Sequence, residues 1–216
     1  MRAKSLLHEA LTWGSCKQDV PFRQLLPNPY PWQAQMIEIL REPVDPRAIW
    51  WIHEPAGSTG KTTFLKHVCS CMPQMRPIVL SGRAGDMMFA IADYERKNKA
   101  LPGCVLVNLP RSFDASFLSY PGSESIKDML FFSGKYKGGM VNGSPPHMAI
   151  FANVPPDTTQ MSKDRWRIRR IENLSLQDGS EQSQDRWRRR SESLGLQDAT
   201  RAQDLQGKSQ RVMKTP

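Results

Sequence analysis

The chain has 216 residues, enough for one medium-sized domain with additional segments, and it contains no apolar run of the length that spans a membrane. Its 30 Lys and Arg residues outnumber its 21 Asp and Glu residues, and the net charge of +9 favours a polyanionic partner such as nucleic acid; the alternative is a basic tail that only maintains solubility. The four cysteines lack the spacing of zinc ligands, so we expect reduced thiols in an intracellular protein.

The first 47 residues predict a small N-terminal helical segment. Residues 6–11 carry a short helical pattern, and a proline-rich connection follows at residues 27–31. The segment Trp32–Leu40 then places four apolar side chains on one helical face: Trp32, Met36, Ile39 and Leu40. Pro43 and Pro46 end this helix.

The segment Glu54–Thr63 has the pattern of a phosphate-binding loop. An apolar run, Ala48–Ile52, precedes it and predicts a buried strand, while Phe64–Val68 continues as a helix. The free N–H groups and the dipole at a helix start favour an anion. We therefore expect ATP to bind to Gly57, Ser58, Thr59, Gly60, Lys61, Thr62 and Thr63.

Within this loop, Lys61 is expected to reach the β- and γ-phosphates, and Thr62 to offer its hydroxyl to Mg²⁺. The common template has a glycine six residues before the lysine, where this chain has Pro55. The alternative is a Gly-containing turn between a strand and a helix, with Lys61 as a solvated charge.

Residues 48–171 predict an α/β core. Short apolar runs at Ile78–Leu80, Cys104–Val107 and His147–Ala152 are typical of buried strands, and Met87–Lys97 is typical of a helix between them. Strands that alternate with helices indicate a parallel sheet flanked by helices. Ligands bind at the carboxyl ends of such strands, so the residues that follow them become candidates, including Asn108, Arg111 and Asn153.

Residues 172–216 predict a disordered basic tail, because they are polar and poor in large apolar side chains. The segment also contains a partial duplication, since Asp164–Arg167 recurs as Asp185–Arg188. The surplus of Lys and Arg over residues 163–216 suits an electrostatic arm for phosphate backbones; a solvated tail without a specific partner is the alternative.

Together these motifs resemble the superfamily 3 helicase domain in replication initiator (Rep) proteins of circular single-stranded DNA viruses. The resemblance covers roughly residues 32–168 and rests on five pieces in the family's order. They are Pro31–Gln33, the Walker A segment Trp50–Thr62, the Walker B segment Val105–Arg111, the B′ segment Phe131–Met140, and motif C at Ile150–Asn153 with Ser162–Trp166 after it. The resemblance implies a P-loop NTPase fold of the AAA+-like type.

The resemblance also implies roles for individual residues. Asn153 would act as a sensor that hydrogen-bonds the γ-phosphate or the attacking water; the alternative is a turn residue after a strand. Arg165 would act as an arginine finger on a neighbouring subunit's nucleotide, or it is a surface Arg in a basic segment. In the B′ hairpin, Lys135 and Lys137 would contact phosphates and Tyr136 would stack on a base, unless the hairpin tip is only solvated.

Two departures from the family pattern concern activity. The Walker B segment has Asn108 where the family has acidic residues, and no acid follows before Asp114. An amide would hold Mg²⁺ only weakly, through its water shell, so the missing charge would have to come from Glu54, Glu124 or Asp128. The pattern thus supports ATP binding more directly than rapid hydrolysis.

The second departure is that the His-x-His motif of the family's nickase domain is absent from this sequence. We therefore do not expect origin nicking from these residues. A fragment, a split gene product and a virus-derived gene in a host genome all remain open as the origin of the chain.

The sequence predicts an ATP- and Mg²⁺-dependent helicase or translocase on single-stranded DNA or RNA, with catalytic roles for Lys61, Asn108, Asn153 and Arg165. The resemblance implies a hexameric ring and a place in the nucleus or cytoplasm of a host cell. One alternative is a virus-derived protein that binds nucleic acid and ATP but hardly hydrolyses it. Another is a P-loop ATPase without a nucleic-acid role.

Overall fold

A computed structural model describes residues 26–112, 118–135 and 139–179. Its helices are α1 (Pro31–Arg41), α2 (Lys61–Cys71), α3 (Ala84–Asn98) and α4 (Tyr120–Lys127). Its strands are β1 (Ile49–His53), β2 (Pro77–Leu80), β3 (Cys104–Asn108), β4 (Leu130–Ser133), β5 (Gly139–Asn142), β6 (His147–Ala152), β7 (Trp166–Glu172) and β8 (Ser175–Asp178). Within these ranges, no helix is both long and apolar enough to cross a bilayer.

Six strands form one sheet in the order β2-β3-β6-β1-β7-β8. The pairs β2–β3, β3–β6, β6–β1 and β1–β7 are all parallel, so these five strands end at the same edge of the sheet. We call this edge the carboxyl edge. The predicted α/β fold with a parallel sheet between helices is confirmed.

The sheet is buried on both faces, as expected for parallel strands. Because side chains alternate along a strand, Trp51 of β1 and Val107 of β3 point to the face covered by α3 and α4, whereas Ile52 of β1 and Leu106 of β3 point to the other. The second face carries α1 and α2, whose buried apolar residues are Trp32, Met36, Leu40, Phe64, Leu65 and Val68. Each large apolar side chain that is fully buried contributes about 1.5–3 kcal/mol, so the two cores together fix the sheet between its helices.

The strands β4 and β5 form a separate two-stranded antiparallel ribbon, which we call the hairpin. Phe131 and Val141 lie opposite each other on its buried face, and both belong to the core against α3 and α4. On the other face Phe132 pairs with Met140, and these side chains are 64% and 67% exposed. The hairpin is therefore anchored by one face and leaves an apolar surface open on the other.

The end of the sheet differs from the sequence-based prediction. The tail was expected to begin at residue 172, but β7 runs to Glu172 and β8 adds a sixth strand at Ser175–Asp178, so the prediction of disorder is wrong for these residues. The turn between them is tied to α1 by a hydrogen bond from the Trp32 N–H to the Leu174 carbonyl, at 2.8 Å. The rest of the predicted tail and the pattern at residues 6–11 lie outside the described residues.

Candidate functional site

An open cleft of about 620 Å³ lies at the carboxyl edge of the sheet. The loops after β1, β3 and β6 meet there because these three strands are neighbours and parallel. The lining residues are Glu54, Ala56, Gly57, Ser58, Thr59, Gly60, Lys61, Thr62, Thr63, Asn108, Leu109, Pro110, Arg111 and Asn153. All seven residues predicted to bind nucleotide are therefore in one cleft, together with Asn108 and Asn153.

The Gly-rich loop, residues 54–60, has a conformation that requires its glycines. Gly57 and Gly60 have φ angles of +87° and +82°, in the left-handed region that L side chains rarely adopt. A Cβ at Gly57 would lie 2.9 Å from the Arg111 guanidinium, and one at Gly60 would lie 2.8 Å from the Gln33 amide. The glycines thus allow both the backbone turn and the close approach of neighbouring side chains.

Helix α1 holds the carbonyl groups of this loop. The Trp32 indole N–H donates to the Thr59 carbonyl at 2.9 Å, and the Gln33 amide donates to the Gly60 carbonyl at 3.1 Å. Trp32 and Gln33 are buried, so these two hydrogen bonds are well shielded from water. The contact explains why Trp32 and Gln33 belong to the site, a role that the sequence analysis did not assign to them beyond their place in the motif series.

Lys61 opens helix α2, and its ammonium group has three partners in the cleft. Its Nζ donates to Glu54 Oε1 at 2.6 Å, to Asn153 Oδ1 at 2.9 Å and to the Ala152 carbonyl at 3.1 Å. The lysine side chain is 13% exposed. Lys61 and Asn153, which were predicted to act on the same phosphate, are therefore in direct contact.

Glu54 is almost completely buried at the base of the loop, with a side chain that is 2% exposed. Its Oε2 accepts a hydrogen bond from the Gly57 N–H at 2.6 Å. Burial by itself raises the pKa of this carboxyl, but the hydrogen bonds from Lys61 and Gly57 outweigh burial and hold the pKa below its ordinary value. Glu54 is therefore ionised at neutral pH.

The loop after β3 brings Asn108 and Arg111 to the lining of the cleft. The Arg111 guanidinium donates to the Pro55 carbonyl at 2.7 Å and so ties this loop to the Gly-rich loop. Asn108, the last residue of β3, is half-buried and brings an amide to the position that is acidic in the Walker B pattern.

The charge state of His53, the last residue of β1, is set by its burial and by the charges near the Gly-rich loop. Burial is the main cause that lowers its pKa to about 4, and the nearby charges of Arg170 and Lys61 add to the effect. The imidazole is therefore neutral at pH 7, since a further positive charge beside Lys61 would be unfavourable.

The cleft provides oxygen ligands of the kind that Mg²⁺ prefers. The Thr62 hydroxyl lies on the first turn of α2 and the amide of Asn108 lines the same cleft, whereas both oxygens of Glu54 are engaged by Lys61 and Gly57. Within the described ranges, no cluster of three His, Cys, Asp or Glu residues could hold a metal ion by itself. These oxygens fit a metal that is held mainly by a bound phosphate and by water, as Mg²⁺ commonly is.

Arg165 lies away from this cleft and is paired inside its own chain. Its guanidinium contacts Asp128 at 2.9 Å and Glu124 at 3.0 Å, both on or next to α4, and its side chain is 6% exposed. In this conformation the guanidinium is buried within its own chain. Glu124 and Asp128 do not line the cleft, so neither supplies the missing carboxylate there.

The hairpin was predicted to contact nucleic acid through Lys135, Tyr136 and Lys137. Lys135 follows β4 and forms an exposed ion pair with Asp86 in the first turn of α3. Tyr136 and Lys137 lie outside the described residues. Of the three predicted residues, the structure shows a partner for Lys135, and that partner, Asp86, is exposed to solvent.

No family model matches the chain. It is 28% identical over 141 residues to Para-Rep C10 of Milk vetch dwarf C10 alphasatellite, a match that covers 64% of this chain and 47% of that protein. It is 29% identical over 140 residues to Para-Rep C6 of Subterranean clover stunt C6 alphasatellite, covering 64% and 46%. It is also 30% identical over 135 residues to the Master replication protein of Faba bean necrotic yellows virus, covering 62% and 43%.

These similarities agree with the observed fold, which is an α/β domain with a Gly-rich loop at the carboxyl edge of a parallel sheet. The chain is related to viral Rep proteins, as the motif series predicts. The match spans a little under half of the length of these relatives.

Proposed function

We propose that the chain is an ATP-dependent helicase or translocase that acts on single-stranded nucleic acid in Rep-type genome replication. The main support is the convergence of the Gly-rich loop, Lys61 and Asn153 in one cleft. The similarity to the Master replication protein of Faba bean necrotic yellows virus gives a second line of support.

In the proposed complex, the triphosphate lies along the Gly-rich loop at the N-terminal end of α2. The loop's N–H groups and the helix dipole bind its negative charge, and Lys61 turns from its present partners to the β- and γ-phosphates. Asn153 is already within hydrogen-bond distance of the Lys61 ammonium, so it would lie beside the γ-phosphate. A bound Mg²⁺, held by the phosphates with Thr62, would neutralise charge that develops on them.

The proposed nucleic-acid contact is the hairpin. Its open face carries Phe132 and Met140, and Lys135 lies next to β4. These groups suit a single strand, because bases stack on an aromatic ring while phosphates contact a cation. We also propose a ring-shaped homo-oligomer, by analogy with the helicase domains that the sequence resembles.

The decisive experiment measures ATP hydrolysis with and without single-stranded DNA or RNA. Lys61→Ala should abolish a turnover that nucleic acid stimulates, because it removes the cation that binds the phosphates. Lys66→Ala is the matched control, since Lys66 lies on the same helix and is exposed to solvent. Equal turnover in the wild type and in Lys61→Ala would contradict the proposal.

Asn108 favours a second candidate function, a protein that binds ATP and nucleic acid but hardly hydrolyses ATP. An amide at this position binds Mg²⁺ and its water more weakly than a carboxylate. If this second function is correct, the wild type should bind ATP with negligible turnover, and Asn108→Asp should increase the turnover. Rapid turnover by the wild type would exclude it.

A further inference from the structure

The cleft contains a carboxylate to which the phosphate-binding pattern assigns no role. Glu54 precedes Pro55 at the start of the Gly-rich loop, and it is the only acidic residue among the described residues that line the cleft. The other two acids considered for the missing charge, Glu124 and Asp128, are bound to Arg165. Carboxylate chemistry in the described part of the cleft therefore depends on Glu54.

The two oxygens of Glu54 accept hydrogen bonds from the same donors that bind phosphate in the proposed function. Oε1 accepts from the Lys61 ammonium and Oε2 accepts from the Gly57 N–H, each at 2.6 Å. One carboxylate thus satisfies both the loop cation and a loop amide. A triphosphate that takes the Lys61 cation from Glu54 releases the carboxylate at the moment when the substrate arrives.

We propose that Glu54 is a catalytic residue, the carboxylate that accepts the proton of the attacking water when ATP is hydrolysed. This inference rests on the proposed function of the same cleft. Glu54 then performs the task for which Asn108, being neutral, is unsuited. The contact that it makes with Lys61 in the structure is the resting state of that residue.

The proposed step is a hydrolysis without any change of oxidation state. The oxygen of water forms a bond to the γ-phosphorus, and the bond from that phosphorus to the β–γ bridging oxygen breaks. ADP leaves with the electron pair of the broken bond. The proton of the water passes to the Glu54 carboxylate, which later releases it to solvent, and the second product is inorganic phosphate.

The surroundings of Glu54 make its basicity depend on the substrate. In the structure the partners Lys61 and Gly57 lower the pKa of the carboxyl against the opposing effect of burial. When Lys61 moves to the phosphates, one of these partners is lost and burial remains, so the pKa of Glu54 rises. A carboxylate with a raised pKa is a better proton acceptor near neutral pH.

The test compares Glu54→Gln with the wild type in the full chain, using ATP and Mg²⁺ and measuring ATP affinity, kcat and KM separately. Loss of a general base commonly costs 10²–10⁴-fold in rate, so kcat should fall by roughly 100-fold or more. ATP affinity should be equal or higher, because Lys61 is no longer held by a charged partner. Glu38→Gln, an exposed acid on α1, is the control and should leave both quantities unchanged.

A pH profile separates the catalytic role from a structural one. The kcat of the wild type should fall on the acid side as Glu54 becomes protonated, and the residual activity of Glu54→Gln should lack this fall. Glu54→Asp keeps the charge but withdraws it by one methylene, so it should bind ATP and still lose kcat. If neither variant folds, a wild-type profile without an acid limb overturns the inference.

Other outcomes also decide the matter. Turnover that needs Lys61 but is unchanged in Glu54→Gln refutes the role of Glu54 and leaves the proposed function intact. Failure of the wild type to bind ATP refutes the proposed function and the inference with it. ATP binding without turnover in the wild type favours the second candidate function and likewise refutes a catalytic Glu54.

Discussion

The cleft and the hairpin each contain a lysine paired with an acid, but the two pairs differ in their surroundings. In the cleft, the side chains of Lys61 and Glu54 are 13% and 2% exposed, and backbone groups complete their hydrogen bonds. At the hairpin, the side chains of Lys135 and Asp86 are 47% and 50% exposed. Both pairs join a lysine to a carboxylate, but water reaches the exposed pair and competes with it far more than with the buried pair.

The difference indicates which contact can be exchanged freely for a ligand. A buried charge that loses its partner is strongly unfavourable, so the Lys61–Glu54 pair can separate only when another anion replaces the carboxylate. An exposed pair contributes little and is screened by salt, so the Lys135–Asp86 pair separates easily. Binding at the cleft should thus be selective, whereas binding at the hairpin should respond to salt.

The largest expected effect is on folding stability at the cleft. Lys61→Met leaves the Glu54 charge buried without its cation, and we expect the free energy of unfolding to fall by about 3 kcal/mol. Glu54→Gln in the same chain should restore most of this loss, because it removes the stranded charge. Denaturant unfolding of both single variants and the double variant measures the coupling.

Lys66→Met on the solvent-facing side of α2 is the control for this cycle and should change stability little. Purely additive effects of Lys61→Met and Glu54→Gln would contradict the comparison, because they would mean that the buried pair is not coupled.

A second variant asks whether burial of a cation by itself predicts function. The side chain of Arg165 is even less exposed than that of Lys61 but lies outside the cleft. Arg165→Met should lower the free energy of unfolding by about 2 kcal/mol, since Glu124 and Asp128 keep partial contact with water. ATP affinity should be unchanged. A stable Arg165→Met variant that binds ATP but loses turnover would instead support the arginine finger that the sequence resemblance implies.

A third prediction uses pH to test the burial behind the loop. The folded protein protonates His53 only near its pKa of about 4, whereas the unfolded chain binds this proton near the ordinary value of 6.5. The unfolded state therefore binds more protons between these values, and stability falls as the pH is lowered through them. From pH 7 to pH 5.5, the loss from His53 should be about 1 kcal/mol.

His53→Gln cannot take up this proton, so its loss of stability over the same range should be smaller by that amount. His67 and His147 also have lowered pKa values because of burial, and they provide the acid sensitivity that remains in the variant. An unchanged pH dependence in His53→Gln would show that the imidazole is accessible to water.

The sequence predicted those parts of the fold and site that depend on local patterns. The apolar runs of β1, β3 and β6 were recognised because strands buried on both faces have few polar residues. The polar residues that follow them were placed in the cleft by the parallel topology alone. Lys61 was recognised because a Gly-Lys-Thr sequence at a helix start has a known chemical purpose.

The rest depends on contacts between distant parts of the chain. Strand β7 alternates arginines with apolar residues and β8 is short, so neither has the continuous apolar pattern of the inner strands. The burial of Arg165 depends on α4, about forty residues earlier, which no local pattern reveals. The position of Glu54 against Lys61 and Gly57 depends on how the loop turns. Spacing along the sequence could not choose among the three acids considered for the missing carboxylate.

The smallest expected effect is at the hairpin, where Asp86 competes with nucleic acid for Lys135. Asp86→Asn removes the competing charge and should tighten the binding of a single-stranded oligonucleotide by roughly twofold to fivefold at low salt. The gain should disappear in the double variant Asp86→Asn/Lys135→Ala, because the released lysine is its cause. Since phosphate contacts weaken as salt rises, the gain should also shrink between about 50 and 200 mM salt.

Asp93→Asn, which loosens a surface pair with Arg96 and Lys97 on the same helix, controls for the change in net charge. An equal gain in that control would mean that charge alone, rather than release of Lys135, governs binding at the hairpin.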